Sequence, residues 1–329
     1  MGPRRRVALP LLASLVALAS AGVAWRLVEA SSTVAPSTAT RTVTSAAATI
    51  SPASAAPVAS ASATASASAT PAPAPVTTVH AIVVAGQKRS WVQVDPGGTP
   101  SGTILVVLHG RWVTPQVELQ RDAILPLVAQ TGVTLVYPAG IGTSWNAGYC
   151  CGVAAQTGVD DVQFLRQLVA AVDPGRVRQI DLVGYSNGGR LAYTVACQAP
   201  GLVDGIAVVN ALPTDCAVTA PLTLLQLAGT ADPEWAYQPG DNGVSSPAVT
   251  TEIAALARLD ACSASTTAQA GGMTLATWDG CTAGNRIALA TYLGGDHSWP
   301  LGNATTPGAA QVILDFFARP GLRGVTRAR

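Results

Sequence analysis

Charged and aromatic side chains are both scarce in this chain of 329 residues, at 11% and 5%. Lys plus Arg number 19 and Asp plus Glu 18, so the formal net charge is only +1. Neither sign dominates. Beyond the N-terminus the Lys and Arg residues are dispersed, which argues against nucleic acid or another polyanion as partner. No C-x-x-C spacing occurs among the six cysteines, so neither a zinc cluster nor a dithiol redox pair is written into the chain. No metal and no cofactor is expected. No cysteine follows the N-terminal apolar run, which excludes a bacterial lipoprotein anchor.

That apolar run, Val7 to Ala24, follows Arg4, Arg5 and Arg6. A short basic region before an apolar stretch is an export signal. Cleavage is expected after Ala21 or after Ala30, and an uncleaved membrane tether is the alternative, because the run approaches spanning length. Residues 1–30 are therefore read as signal peptide or anchor. The protein is expected to be secreted, or held at the cell surface if cleavage fails.

Residues 31–78 are almost entirely Ala, Ser, Thr and Pro, with no aromatic residue. Such a segment buries too little apolar surface to offset its conformational entropy. It reads as a disordered linker stiffened by prolines.

From Val79 the pattern changes, and residues 79–329 read as one catalytic-sized domain. "VHAIVV" and "SWVQV" have strand character, and "TILVVLHG" and "VTLVYP" are buried strands. "ELQRDAILPLVAQTG" is a helix candidate interrupted by Pro126. In "VDDVQFLRQLVAAV", Asp160 is a plausible N-cap, and Val162, Leu165, Leu168 and Val169 share one face. The strand "RQIDLVG" feeds the helix "GGRLAYTVACQ". Two more buried strands, a helix, two late strands and a closing helix follow. Strands alternating with helices imply an α/β fold with a mostly parallel, doubly wound sheet. Its ligands belong at the carboxyl ends of the strands.

One serine stands on such an end. Gly184-Tyr185-Ser186-Asn187-Gly188 joins a strand to a helix, the context that a nucleophile elbow requires. Ser186 needs a base, and His109 and His297 are the candidates. His297 lies downstream in "GGDHSWP" and satisfies the chain order serine, acid, histidine. The acid is expected at Asp232, beyond the buried strand "LLQLAG", with Glu234 as its local rival. Asp296 abuts His297, and adjacent side chains diverge. The oxyanion donors are expected to be the backbone N–H groups of Asn187 and Arg111. Trp145, Trp235 and Trp299 sit near the site loops and are candidate substrate-stacking groups, with core anchoring as the alternative.

The even number of cysteines favours disulfides in an exported protein. Cys262 and Cys281 flank one segment and form the natural local pair. Cys150 and Cys151 are adjacent and are expected to reach two different partners, Cys197 and Cys216.

Taken in order, "LHGR", "VYPAG", "WNAGYCCG", "VDDVQFLRQLV", "GYSNGG", "GTADP" and "GGDHSWP" resemble the secreted polyhydroxybutyrate depolymerase and feruloyl esterase family, including its LpqC-like group. The resemblance runs from about Ala81 to Ala318. It implies an α/β-hydrolase domain and a serine esterase in which Ser186, Asp232 and His297 form the triad. It implies a small or polymeric ester as substrate and no cofactor, and the protein is expected to be a monomer. Two departures stand out. Arg111 follows His109-Gly110 where the family often has cysteine, and "EWAY" follows Asp232-Pro233 where it often has "VPY". A non-catalytic surface module and a serine peptidase are the competing function classes.

Overall fold

The computed structural model describes residues 73–148, 150–213, 216–243 and 247–318. The signal segment and nearly all of the linker lie outside the described residues.

Ten strands form one sheet: β1 (Val76–Val84), β2 (Gln87–Asp95), β3 (Thr103–Leu108), β4 (Thr134–Pro138), β5 (Gln179–Tyr185), β6 (Gly205–Val209), β7 (Thr223–Gly229), β8 (Ala264–Ala270), β9 (Met273–Asp279) and β10 (Ile287–Tyr292). Their spatial order is β1-β2-β4-β3-β5-β6-β7-β10-β9-β8. The six strands from β4 to β10 in this order run parallel. The antiparallel hairpins β1–β2 and β8–β9 flank them. β1 begins at Val76, ahead of the expected boundary at 79. Ala85 and Gly86 turn the first hairpin with φ of 48° and 79°, the left-handed pair that a two-residue turn needs.

Alternation along the central strands feeds two cores. Ile104, Val106 and Leu108 point to one face, with Ile180, Leu182, Ile206 and Val208. Leu105 and Val107 point to the other, with Val183, Ala207 and Val209. Helices α4 (Asp161–Val172), α5 (Asn187–Gln198) and α6 (Val249–Leu259) cover the first face. Helix α7 (Ala309–Ala318) and the short α2 (Val128–Thr131) cover the second. Asp160 caps α4 by accepting from the N–H of Gln163 at 2.8 Å.

The segment holding Pro126 is not one helix. It breaks into α1 (Pro115–Arg121), a 3-10 turn at Leu125–Leu127 and α2. Proline cannot donate inside a helix, and here it sits in the first turn of the 3-10 piece. The remaining helix, α3 (Gly152–Thr157), and the strand β8 have no apolar periodicity in their sequences.

Three disulfides join Cys150 to Cys151, Cys197 to Cys216, and Cys262 to Cys281. The expectation that Cys150 and Cys151 reach Cys197 and Cys216 is therefore corrected. Cys197 ends α5 and meets Cys216 in the loop after β6, which leaves the adjacent pair to bond each other. The three bridges fit an oxidising compartment. Among the described residues no helix is long and apolar enough to cross a membrane.

The Cys262–Cys281 bridge closes a loop across a sequence separation of 19. In the chain-entropy picture such a loop stabilises by about 3 kcal/mol. The Cys262→Ser/Cys281→Ser double variant should unfold several degrees lower by calorimetry. An unchanged Tm would show that the bridge does not constrain the unfolded chain.

A buried acid near α1 makes a second stability prediction. Burial pushes Asp122 from its ordinary 3.8 up to about 7, against hydrogen bonds from the Tyr137 hydroxyl and the Ile124 N–H. The folded protein thus holds a proton that the unfolded chain releases between those values. The stability from this group is full below pH ~3.8 and is lost as pH rises to about 7. Asp122→Asn cannot ionise and keeps an acceptor for Ile124. Its stability relative to the wild type should climb between pH 4 and 7 in urea titrations. A constant difference across that range would contradict the burial argument.

Candidate active site

Ser186 follows β5 and precedes α5 with φ 51° and ψ −115°, a sparsely populated backbone state for any residue but glycine. Its N–H donates to Val209 O at 2.9 Å, which ties the corner to the end of β6. The flanking glycines are there for space. A Cβ on Gly184 would lie 2.3 Å from Gly188 O, and one on Gly188 would lie 2.3 Å from Leu108 O. The corner forms only where strand and helix backbones touch, and this is why G-x-S-x-G marks it.

Two other strand ends bring partners to the serine. His297, in the loop after β10, places Nε2 2.9 Å from Ser186 Oγ. Asp232, in the loop after β7, places Oδ2 2.8 Å from His297 Nδ1. The other Asp232 oxygen accepts from the N–H groups of Glu234 and Trp235 at 2.8 and 3.2 Å. The carboxylate is thereby fixed in the orientation that meets the imidazole. Glu234, the rival acid, lies on the opposite nitrogen, 3.6 Å from Nε2, with its side chain 54% exposed. The geometry can pass a proton from the hydroxyl to the imidazole and hold the resulting cation.

His109 cannot serve as that base. Its Nδ1–H donates to Gly110 O at 2.8 Å, and its Nε2 accepts from the N–H of Gly140 at 3.0 Å. Burial lowers it to about 4, so it stays neutral and staples two loops together. The Gly110–Arg111 corner faces the elbow. Gly110 N–H reaches the buried Glu118 carboxylate at 3.4 Å, and Glu118 is held by Arg121 at 2.8 Å. The N–H of Trp112 is bonded to Thr143 O at 2.8 Å, so the candidate donor in this turn is the N–H of Arg111. Asn187, the other candidate, opens α5. Its side chain exchanges two hydrogen bonds with the backbone of Trp145, at 2.8 and 3.1 Å.

Of the supports around the site, the sequence points only to Asp160 and Asp161, with helix capping as their alternative reading, and is silent on the others. Asn210 holds the His297 loop by donating to Asp296 O and Ser298 O at 3.2 and 2.8 Å. The Tyr185 hydroxyl donates to His297 O at 2.6 Å. Arg89 and Asp161 form a buried ion pair of 2.6 Å, and Asp161 also accepts from the N–H of Asn146. Asp161 therefore braces the loop that carries Cys150 and Cys151. The only signal for Arg89 and Asn210 is polarity beside apolar segments.

The cleft beside Ser186 encloses about 420 Å³ and is lined by Arg111, Cys150, Cys151, Asn187, Arg190, Glu234 and Trp235, among others. Trp235 sits at its wall. Trp145 does not: it is fully buried, and its indole N–H donates to His109 O at 2.9 Å. Trp299 is also buried, edge-on to Tyr185 at 6.3 Å. The expected stacking role is corrected for both. Each fills the core beneath a loop, because a large apolar ring gains more there than at a wet cleft.

The sheet order, the serine corner at the end of β5 and the histidine and acid after later strands define an α/β-hydrolase. No family model matches the chain. The chain is 30% identical over 264 residues to a protein named "Putative esterase NocK" from Nocardia uniformis subsp. tsuyamanensis, covering 69% of this chain and 75% of that one. Among solved structures, an acetyl xylan esterase from Aspergillus awamori aligns with a TM-score of 0.47 at 12% identity, covering 73% of this chain and 98% of that one. An S-formylglutathione hydrolase from Agrobacterium tumefaciens aligns at 0.42 and 12%, covering 68% and 89%. The chain belongs to the esterase family of α/β-hydrolases that includes the Nocardia protein, and its activity is that of an esterase-type hydrolase.

Proposed function

We propose that the protein is an exported serine carboxylic-ester hydrolase that works through an acyl-enzyme on Ser186. The observation that supports this most strongly is the pair of contacts at 2.9 and 2.8 Å linking Ser186, His297 and Asp232 across three strand ends. His297 Nε2 takes the hydroxyl proton as Oγ attacks the ester carbonyl carbon. The oxyanion forms against the N–H groups of Asn187 and Arg111. His297 then gives its proton to the departing alcohol. Water, activated by the same imidazole, releases the acid and restores Ser186. Asp232 stabilises the transient imidazolium and stays ionised.

The substrate class in this reading is a feruloyl, acetyl or hydroxyalkanoate ester, as the motif resemblance implies. The modest cleft beside a single buried tryptophan favours a soluble ester over a solid polyester. The enzyme acts as a monomer outside the cell, or at its surface if the N-terminal segment is retained. Purified protein should be given feruloyl, acetyl and hydroxybutyrate esters, soluble and solid, at matched ester content. Soluble esters should turn over much faster. Comparable clearing of solid polyhydroxybutyrate would overturn the substrate choice. Hydrolysis of peptides in preference to all esters would favour a serine peptidase.

A further inference from the structure

We infer that the cleft recognises an ester that also carries a carboxylate, and that Arg111 and Arg190 bind this second group. The inference rests on Ser186 being the nucleophile. Charge is scarce in this chain, at 11% of residues, yet among the described residues three charged side chains line the cleft that holds Ser186. Two of them are guanidinium groups, and the third is the carboxylate of Glu234. Glu234 is more than half exposed and is drawn toward His297, at 3.6 Å. The balance in the cleft is one net positive charge.

Arg190 is poorly placed for helix stability. It lies in the first turn of α5, which contains no acidic residue. A cation there opposes the positive end of the helix dipole. The placement adds to a positive potential at the cleft. Arg190 is also held in position, with its guanidinium carbon 4.8 Å from the centre of the Trp235 ring. Arg111 lies 3.9 Å from the centre of the ring of its exposed neighbour Trp112. A guanidinium is drawn to an aromatic face and carries a planar edge of N–H donors. That edge matches the two oxygens of a carboxylate. Two guanidinium groups lining the same cleft as the nucleophile suit a substrate with a planar anion a short distance from the ester.

The test uses isosteric pairs that differ only in charge. On the acyl side, ethyl hydrogen succinate is compared with ethyl succinamate. On the alcohol side, 3-acetoxypropanoate is compared with 3-acetoxypropanamide. Binding is measured by calorimetry on the Ser186→Ala protein, so the result does not depend on turnover, and kcat/KM is measured on the wild type. In at least one pair the carboxylate should be preferred about tenfold or more, the size expected of a charge-assisted contact. Arg111→Gln and Arg190→Gln should each shrink that ratio, and higher salt should shrink the Arg111 share. Arg111 is exposed, so its variant decides the matter if Arg190→Gln fails to fold. Ratios near one in both pairs, or ratios that survive the Arg111→Gln change, would overturn the inference. Failure of the nucleophile reading would appear separately, as hydrolysis persisting in the Ser186→Ala protein.

Discussion

Replacing Ser186 with alanine should leave a folded protein that has lost about four orders of magnitude or more in kcat toward soluble esters. Folding should be spared for two reasons. The side chain makes no capping hydrogen bond at the start of α5, and alanine keeps the Cβ, so the strain at φ 51° is unchanged. What is lost is the atom that forms the acyl bond. The contact of Oγ with His297 Nε2 at 2.9 Å has no substitute. Residual activity would come from the oxyanion donors and binding alone. A folded variant with more than a tenth of the wild-type kcat would remove Ser186 from the mechanism.

Asp232→Asn should lose about three to four orders of magnitude in kcat near neutral pH while keeping its stability. The reason lies in which atoms are already committed. One Asp232 oxygen accepts from Glu234 N–H and Trp235 N–H, and an asparagine oxygen would take that place. The amide NH₂ then faces His297 Nδ1, where an acceptor stood before. Nδ1 must turn acceptor, and the ring proton moves to Nε2. A protonated Nε2 facing Ser186 Oγ cannot take a proton from it. Glu234→Gln makes the contrast, since that side chain is largely exposed and does not orient the ring. Single-turnover kinetics on a chromogenic ester would read both. A loss smaller than tenfold for Asp232→Asn would show that another acid orients His297.

The parts of the site legible in the sequence are those governed by local backbone rules. Gly184 is dictated by a contact within the corner itself and Gly188 by the neighbouring end of β3, so the motif reports a corner packed against its sheet. The order of serine, acid and histidine follows from parallel strands entering the sheet in sequence, each delivering one loop to the same edge. The buried strands declare themselves by their apolar runs. β8 does not, because it is an edge strand of Ala, Ser, Thr and Gln, exposed along nearly its whole length. Its conformation comes from pairing with β9.

The sequence by itself determined the α/β class and the elbow with its serine, and narrowed the base and the acid to a few candidates, since each rests on spacing or on a residue type few others could replace. Only the tertiary structure decided the rest. Whether a tryptophan reaches the cleft wall or lies wholly beneath a loop depends on which loop lies above it: Trp145 is fully buried away from the cleft, while Trp235, also buried, borders it. Whether two adjacent cysteines bond each other or distant partners depends on where α5 ends relative to the loop after β6. Whether a histidine is a base or a staple depends on what its two nitrogens meet. His109 meets two backbone groups and stays neutral, while His297 meets a hydroxyl and a carboxylate. These are contacts between segments far apart in the chain, and no local pattern encodes them.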